Sequence, residues 1–347
     1  MADQVSRVIM AEADRIGIDP GTVVVIDDQD GSLLLAAAER WPEAELRLHC
    51  DALDEEQTCR AAADRAGLRV TAADDLGLAT TGAGLALARL PKGLDALELL
   101  AGAVARASDP EVVLIAGGRV KHLNRSMNGV LERHFGEVRG SLGLGKARAL
   151  VGARARPGPE PQPRRAAVDG LEVVAYGGVF AGASLDAGTR LLLAQAPRFP
   201  AAESAIDLGC GTGLLAVALA RLDAATKITA IDHSRAAVRS AVATAAANGA
   251  ADRIDVRRGD GLVEVADESV DLIVCNPPFH RGTAKDSSTA LTMITDAGRV
   301  LRPGGELWLV YNTHLPYRSA LRRSVGPTEV ITQDRDYLVT RSVKANP

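Results

Sequence analysis

The stretch Ala205-Ile206-Asp207-Leu208-Gly209-Cys210-Gly211-Thr212-Gly213-Leu214-Leu215 decides how this chain folds. A short apolar strand enters a turn of three glycines, and an Ala/Leu-rich helix leaves it. Glycines at such a turn permit positive φ and let the backbone approach a ligand closely. A Gly-x-Gly pattern alone would also suit a nicotinamide nucleotide. The dinucleotide fingerprint, however, has two residues between its second and third glycines, and here only Thr212 stands there. Downstream, Lys227-Ile228-Thr229-Ala230-Ile231-Asp232 reads as a strand ending in an acid, the position from which a carboxylate grips ribose hydroxyls. A third strand, Arg253-Ile254-Asp255-Val256, leads to Gly259-Asp260-Gly261, where Asp260 is placed to hold an adenine amino group. Each acid alone also suits a helix cap or a solvated turn. As a series along one sheet edge, Asp207, Gly209, Gly211, Gly213, Asp232 and Asp260 read as a nucleoside site, because open α/β sheets bind ligands at the carboxyl ends of their strands.

The next strand of the series, Val270-Asp271-Leu272-Ile273-Val274-Cys275, ends in Asn276-Pro277-Pro278-Phe279. This tetrapeptide suits the methylation of a planar nitrogen whose lone pair is tied up by conjugation. The Asn276 side-chain oxygen and the Pro277 carbonyl can both accept hydrogen bonds from an –NH2 group. The prolines stiffen the turn and keep those acceptors aimed, and Phe279 offers a flat face on which a base can stack.

Bulk properties agree with two soluble domains. A chain of 347 residues exceeds what one hydrophobic core usually organises. No apolar run reaches the roughly 18–20 residues of a membrane span, and the N-terminus lacks a basic-then-apolar signal pattern, so a cytoplasmic protein is expected. The four cysteines, at positions 50, 59, 210 and 275, show no metal-ligand spacing and read as reduced thiols. Aromatics make up only 3% of the chain, which draws attention to Phe279 and Phe180.

Arg156-Pro157-Gly158-Pro159-Glu160-Pro161-Gln162-Pro163-Arg164-Arg165 can be neither helical nor central in a sheet, and a linker is placed over 156–170. That leaves domains at 1–155 and 171–347. Aligning Asp27 with Asp207 makes the two halves run in parallel without a gap. On that alignment Gln29 replaces the first glycine, Leu33 replaces the third and only Gly31 survives. Leu46–Asp51 falls on the Asp232 strand, and Val112–Gly118 falls on the catalytic strand without an Asn-Pro-Pro at its end. The first domain reads as an internal repeat whose cofactor turn is filled by side chains at 29 and 33, so it is expected to bind no nucleoside cofactor.

Charge is uneven. Residues 1–150 carry 17 basic against 23 acidic side chains, a net of −6, and residues 151–347 carry 23 against 21, a net of +2. Between Arg119 and Arg165, however, eleven basic residues are interrupted by three acids. Phosphate contacts from such side chains supply sequence-independent affinity; the stretch also reads as a solvated basic face with an Arg-rich linker, and Arg119, Lys121, His122, Arg125, Lys146 and Arg148 are the preferred RNA contacts.

The ordered series resembles the class I S-adenosylmethionine-dependent methyltransferases over about residues 171–347. Flanking pieces sharpen it: Gly177-Gly178-Val179-Phe180, Leu185-Asp186-Ala187-Gly188-Thr189-Arg190, His280 after the tetrapeptide, Gly304-Gly305-Glu306-Leu307-Trp308, and Leu315-Pro316-Tyr317. Together these are similar to the bacterial ribosomal RNA guanine-N2 methyltransferases, both the C type, which acts on small-subunit RNA, and the G type, which acts on large-subunit RNA. Leu90-Pro91-Lys92 and Ala116–Leu123 lean toward the G type. The resemblance implies an α/β protein of two tandem Rossmann-like methyltransferase domains, the N-terminal one degenerate and serving RNA binding or structure. It implies S-adenosylmethionine as cofactor, ribosomal RNA or a ribosomal subunit as partner, and a flap of Phe180, Asp186 and Thr189 beside the cofactor. Asp186 also reads as a plain helix N-cap, and His280 either touches the base or caps the next segment. Transfer would be an in-line displacement onto a flipped-out base, needing no metal. Asn-Pro-Pro-aromatic turns also serve adenine-N6 and protein glutamine methylation, which the tetrapeptide alone does not separate from guanine-N2. A non-catalytic RNA-binding scaffold is a third reading, opposed by the intact glycines and acids.

Overall fold

The computed structural model describes residues 3–277 and 284–346, and divides into two compact units, Met1–Gln162 and Pro163–Pro347. In the first, α1 (Gln4–Ile16), β1 (Thr22–Ile26), α2 (Ser32–Arg40), β2 (Glu45–His49), α3 (Leu53–Arg65), β3 (Thr71–Ala72), α4 (Leu76–Thr80), β4 (Leu85–Arg89), α5 (Leu94–Ala107), β5 (Val113–Arg119), α6 (Arg125–Glu132), β6 (Phe135–Gly140) and β7 (Ala147–Ala155) follow one another. The second opens with the hairpin β8 (Arg164–Val168) and β9 (Leu171–Ala175). It continues with α7 (Ala187–Leu193), β10 (Ser204–Leu208), α8 (Leu214–Leu222), β11 (Lys227–Asp232), α9 (Arg235–Ala247), β12 (Ile254–Arg258), β13 (Val270–Cys275), α10 (Ala284–Val300), β14 (Leu301–Asn312), α11 (Tyr317–Ser324), β15 (Thr328–Gln333) and β16 (Tyr337–Val343).

Each unit is built on a seven-stranded sheet, ordered β3-β2-β1-β4-β5-β7-β6 in the first and β12-β11-β10-β13-β14-β16-β15 in the second. In each sheet six strands run in one direction, and only β7 or β16, paired antiparallel with both its neighbours, runs against them. The orders are the same permutation, so the fold is α/β with two tandem Rossmann-like domains. Helices cover both faces of each sheet. In the second unit Ala205 belongs to a core cluster shared with α8 and α9, while Ile206 and Leu208 join one shared with α10 and α11. Buried on both faces, these strands read as apolar runs rather than alternating patterns.

Strand order reverses between β10 and β13, and the crevice at that switch point lies between the turn after Leu208 and the turn after Cys275. The glycine turn and Asn276 are therefore neighbours because the chain crosses over β10, not because of their spacing in sequence.

The structure corrects three expectations. Only the first part of the 156–170 segment is a connector, since Arg164–Val168 is a strand of the second unit, pairing antiparallel with β9. Asp169 (φ 48°) and Gly170 (φ 74°) form its hairpin turn. An Asp-Gly pair between apolar runs is a hairpin signal, outweighed in the sequence by the prolines before it.

The repeat is real but its alignment shifts by two residues. Ile26 pairs with His49 as Leu208 pairs with Ile231, and the next backbone N–H, of Asp27 or of Gly209, donates to the His49 or Ile231 carbonyl. Gly31 (φ 77°) caps α2 as Gly213 (φ 76°) caps α8. Asp27 thus occupies the first glycine's place, at φ 55°, and Gln29 the second's, while Leu33 is a core residue of α2. Matching Asp27 to Asp207 put identity ahead of pairing register, and register is what fixes a strand's place.

The counterpart of β13 is β4, not Val112–Gly118. Ile26 pairs with Ala88 as Leu208 pairs with Cys275, which puts Arg89 where Asn276 stands.

Candidate active site

Each glycine of the second unit's turn adopts left-handed backbone: Gly209 at φ 71°, Gly211 at 52° and Gly213 at 76°. They serve different ends. A Cβ on Gly211 would meet nothing within 4 Å, so that glycine leaves an open approach to the backbone. A Cβ on Gly213 would lie 2.9 Å from Ala241 Cα, so this glycine lets α8 begin against α9. Asp232, at the end of β11, ties the turn: its Oδ2 accepts from the Gly211 N–H and its Oδ1 from the Ser234 N–H, both at 2.9 Å. The carboxylate keeps further lone pairs for ribose hydroxyls. Asp260 is exposed just beyond β12, on the same edge.

Asp207 is not a surface ligand. It is 1% exposed, and its Oδ2 accepts from the Ala216 N–H at 2.9 Å inside the first turns of α8. Its Oδ1 has no hydrogen-bond partner among the described residues. Burial pushes this carboxyl up to about 7, the Ala216 N–H offsets part of the rise, and Asp232 adds to it. Burial also pushes the Cys210 and Cys275 thiols well up, so these residues act as small fillers.

Asn276 ends β13 half-buried. Its Nδ2 donates to Asp186 Oδ2 at 3.0 Å and to Thr189 Oγ1 at 2.8 Å. Asp186 is also the N-cap of α7, accepting from the Thr189 N–H at 3.1 Å. Sequence reading offered a flap or a cap for Asp186. The structure makes it a cap, and joins it to Asn276 across ninety positions, a contact with no local signal. Pro277 is buried behind Asn276. Phe279 and His280 lie outside the described residues.

Phe180 is 64% exposed in the turn after β9. That turn is anchored through Val179 and Ala183 against Ala237 of α9, and by the Arg239 guanidinium 3.9 Å from the centre of the Tyr176 ring.

In the first unit the equivalent site is filled. Arg89 Nη1 donates to Asp3 Oδ2 at 2.8 Å and Nη2 to Ser6 Oγ at 2.9 Å, while Nη2 stands 3.6 Å from the Asp28 carboxylate. Arg89 is 8% exposed and Asp28 fully buried.

The basic segment divides. Arg133 pairs with Glu98, Arg139 with Glu12, Arg154 with Glu137 and Arg165 with Glu172, so these carry structure. Arg148 donates from Nε to the Ser141 carbonyl at 2.8 Å and lies across Gly140, which removes it from the open set. Arg119, Lys121, His122, Arg125 and Lys146 are all exposed. Slight desolvation, with the positive charges of Lys121, Lys92 and Arg119, holds His122 below the usual histidine range. Lys92 therefore belongs to this cluster. Sequence reading missed it because it comes from the turn after β4 rather than from the 119–165 run.

A nucleoside with a cationic methyl-bearing tail fits the second unit. The backbone is open at Gly211, the Asp232 carboxylate stands beside the turn at the end of β11, and an unpaired buried carboxylate oxygen of Asp207 lies beneath the turn.

Comparison with known proteins agrees. The model of the methyltransferase small domain matches residues 170–341, and that of the RLMG N-terminal domain matches residues 6–157. A ribosomal RNA large subunit methyltransferase G of Streptomyces coelicolor is 38% identical over 345 residues, covering 93% of this chain and 88% of the relative. One of Stutzerimonas stutzeri is 36% identical over 263 residues, covering 75% of this chain and 70% of the relative. The solved T. thermophilus 16S rRNA N2 methyltransferase, in complex with AdoMet and guanosine, superposes with a TM-score of 0.78 at 21% identity. That match covers 99% of this chain and 92% of the solved one, and shares its fold. With two domain models in tandem and relatives of this identity along most of its length, the chain belongs to the ribosomal RNA large subunit methyltransferase G family.

Proposed function

We propose that this protein transfers a methyl group from S-adenosylmethionine to the exocyclic N2 amine of a guanine in large-subunit ribosomal RNA, acting in the cytoplasm on RNA or an assembling subunit. The observation that carries this reading is Asn276, whose amide nitrogen donates to Asp186 and Thr189, while no described residue donates to its oxygen. The large-subunit assignment follows the names of relatives at 34–38% identity. The base follows the Leu185–Thr189 stretch and the Leu315-Pro316-Tyr317 ending, together with the guanosine bound by the T. thermophilus protein.

When bound, S-adenosylmethionine supplies an electrophilic methyl on a sulfonium. Gly209–Gly213 would lie along its methionine end, with Asp232 at the ribose and Asp260 near the adenine. The target guanine must leave its stack, at a cost of roughly a few kcal/mol. Asn276 Oδ1 and the Pro277 carbonyl accept from the N2 amine, orient it and draw it out of conjugation. Most of the acceleration comes from that positioning. The first unit, with Arg89 in the place of Asn276 and side chains in place of two glycines, holds no cofactor. Its exposed cluster of Lys92, Arg119, Lys121, His122, Arg125 and Lys146 takes RNA phosphates.

Tritiated methyl transfer to unmodified rRNA, followed by nucleoside digestion, tests the reading. N2-methylguanosine is expected, with Asn276→Ala abolishing transfer and one S-adenosylmethionine site per chain by calorimetry. N6-methyladenosine would overturn the base assignment, and two sites per chain would overturn the inactive first unit.

A further inference from the structure

An amide presents two faces of opposite character, and a half-turn about its last bond exchanges an acceptor oxygen for an NH2 group. Only one orientation serves a substrate amine, because the other sets donor against donor. In this chain the choice is made at the start of α7. Asp186 Oδ2 lies 3.0 Å and Thr189 Oγ1 2.8 Å from Asn276 Nδ2. A carboxylate oxygen only accepts, so the NH2 group must face the Asp186 and Thr189 oxygens, which leaves Oδ1 on the other side of the amide, beside Gly188. Gly188 leaves room for this, since a Cβ there would sit 3.1 Å from Asp186 Oδ2 and 3.3 Å from Asn276 Oδ1.

The first unit repeats the device. Asp3 caps α1 and accepts from the Ser6 N–H at 2.7 Å, as Asp186 caps α7 and accepts from the Thr189 N–H. In both units the same two acceptors receive the donors of the residue ending the central strand, Arg89 in one and Asn276 in the other. The acceptor pair is thus an element of the fold for holding a strand-end donor. In the second unit what it holds is the catalytic amide.

We propose that Asp186 and Thr189 are positioning residues that lock the Asn276 amide with Oδ1 toward the target amine. The proposal rests on the methyl-transfer reading above. Thr189→Val keeps the shape and the Asp186 cap but removes the hydroxyl acceptor. It should lower kcat about 10- to 100-fold while leaving the calorimetric Kd for S-adenosylmethionine nearly unchanged. Thr189→Ser restores the hydroxyl, as at Ser6, and should recover most of the lost rate. The orientation is also read directly, without turnover, from hydrogen exchange of the Asn276 side-chain amide by NMR, slow in the wild type and faster in Thr189→Val. Wild-type kcat in Thr189→Val, or a loss that Thr189→Ser does not recover, overturns the lock. So does equal Asn276 exchange in the wild type and Thr189→Val. A wild-type protein that methylates no RNA yet shows the exchange difference keeps the lock and overturns the methyl-transfer reading.

Discussion

Asp207 shows how one residue can carry a site without touching its surface. Its carboxyl is pushed up to about 7, mainly by burial, whereas an unfolded chain titrates an aspartate near 4. The folded state therefore keeps a proton that the unfolded state has already released. Its stabilising contribution is complete below about pH 4, is lost as pH rises toward 7, and is level above that. Wild type should lose stability relative to Asp207→Asn by up to about 1.4 kcal/mol per pH unit across that window. Thermal melts of both proteins from pH 4 to 8 measure this, and parallel curves would contradict it. A cationic ligand near the unpaired Oδ1 favours the ionised form, so S-adenosylmethionine should bind more tightly at pH 8 than at pH 6.

At the scale of elements, the hairpin β8–β9 is held in an unusual way. It forms its own two-stranded sheet. The polar groups of β9, and of Tyr176 just after it, instead find a stripe of side chains four residues apart on α9 and its C-cap Asn248. Ser240 Oγ accepts from the Tyr176 N–H at 3.0 Å, Thr244 Oγ1 from the Val174 N–H at 3.0 Å, and Asn248 Oδ1 from the Glu172 N–H at 3.1 Å. The helical repeat matches every second strand residue closely enough for side chains to act as a neighbouring strand. The stripe also fixes where the turn carrying Phe180 begins. Thr244→Val leaves the buried Val174 N–H and carbonyl without partners and should cost about 1–3 kcal/mol. Chemical denaturation reads that loss, and a neutral effect would mean the hairpin is held by packing alone.

At the scale of the whole molecule, one topology occurs twice, and the two copies differ at the switch point. The second unit keeps glycines and Asn276 at its switch point, while the first places Arg89 among Asp3, Asp28 and Asp30 there. Around that filled site the exposed edge is basic, although residues 1–150 as a whole are net acidic. Neutralising Arg119, Lys121 and Arg125 together should weaken RNA binding and reduce the slope of log affinity against log salt by about 0.7–0.9 for each phosphate no longer neutralised. Binding isotherms at several salt concentrations check this, and an unchanged slope would place the RNA elsewhere.

Much of this was legible in the residues themselves. Three glycines separated by single residues, an acid ending the next strand and Asn-Pro-Pro at a strand end are local statements, because φ preference, strand periodicity and the missing proline N–H act within a few residues. They determined the α/β class and which half carries the methyltransferase motifs, and they singled out Asn276 as the candidate. Contacts between distant residues needed the folded chain. Asp186 meets Asn276, and Arg89 meets Asp3 and Ser6, only because α7 packs against β14 and β16 and α1 packs against β5 and β7, which brings the starts of these helices to the strand ends. The two-residue shift between the halves belongs to the same class. Strand register is set by pairing with neighbours, so residues that match as letters need not match in space. Sequence determined which side chains stand at the strand ends, and tertiary structure decided that the Asn276 amide nitrogen faces Asp186 and Thr189.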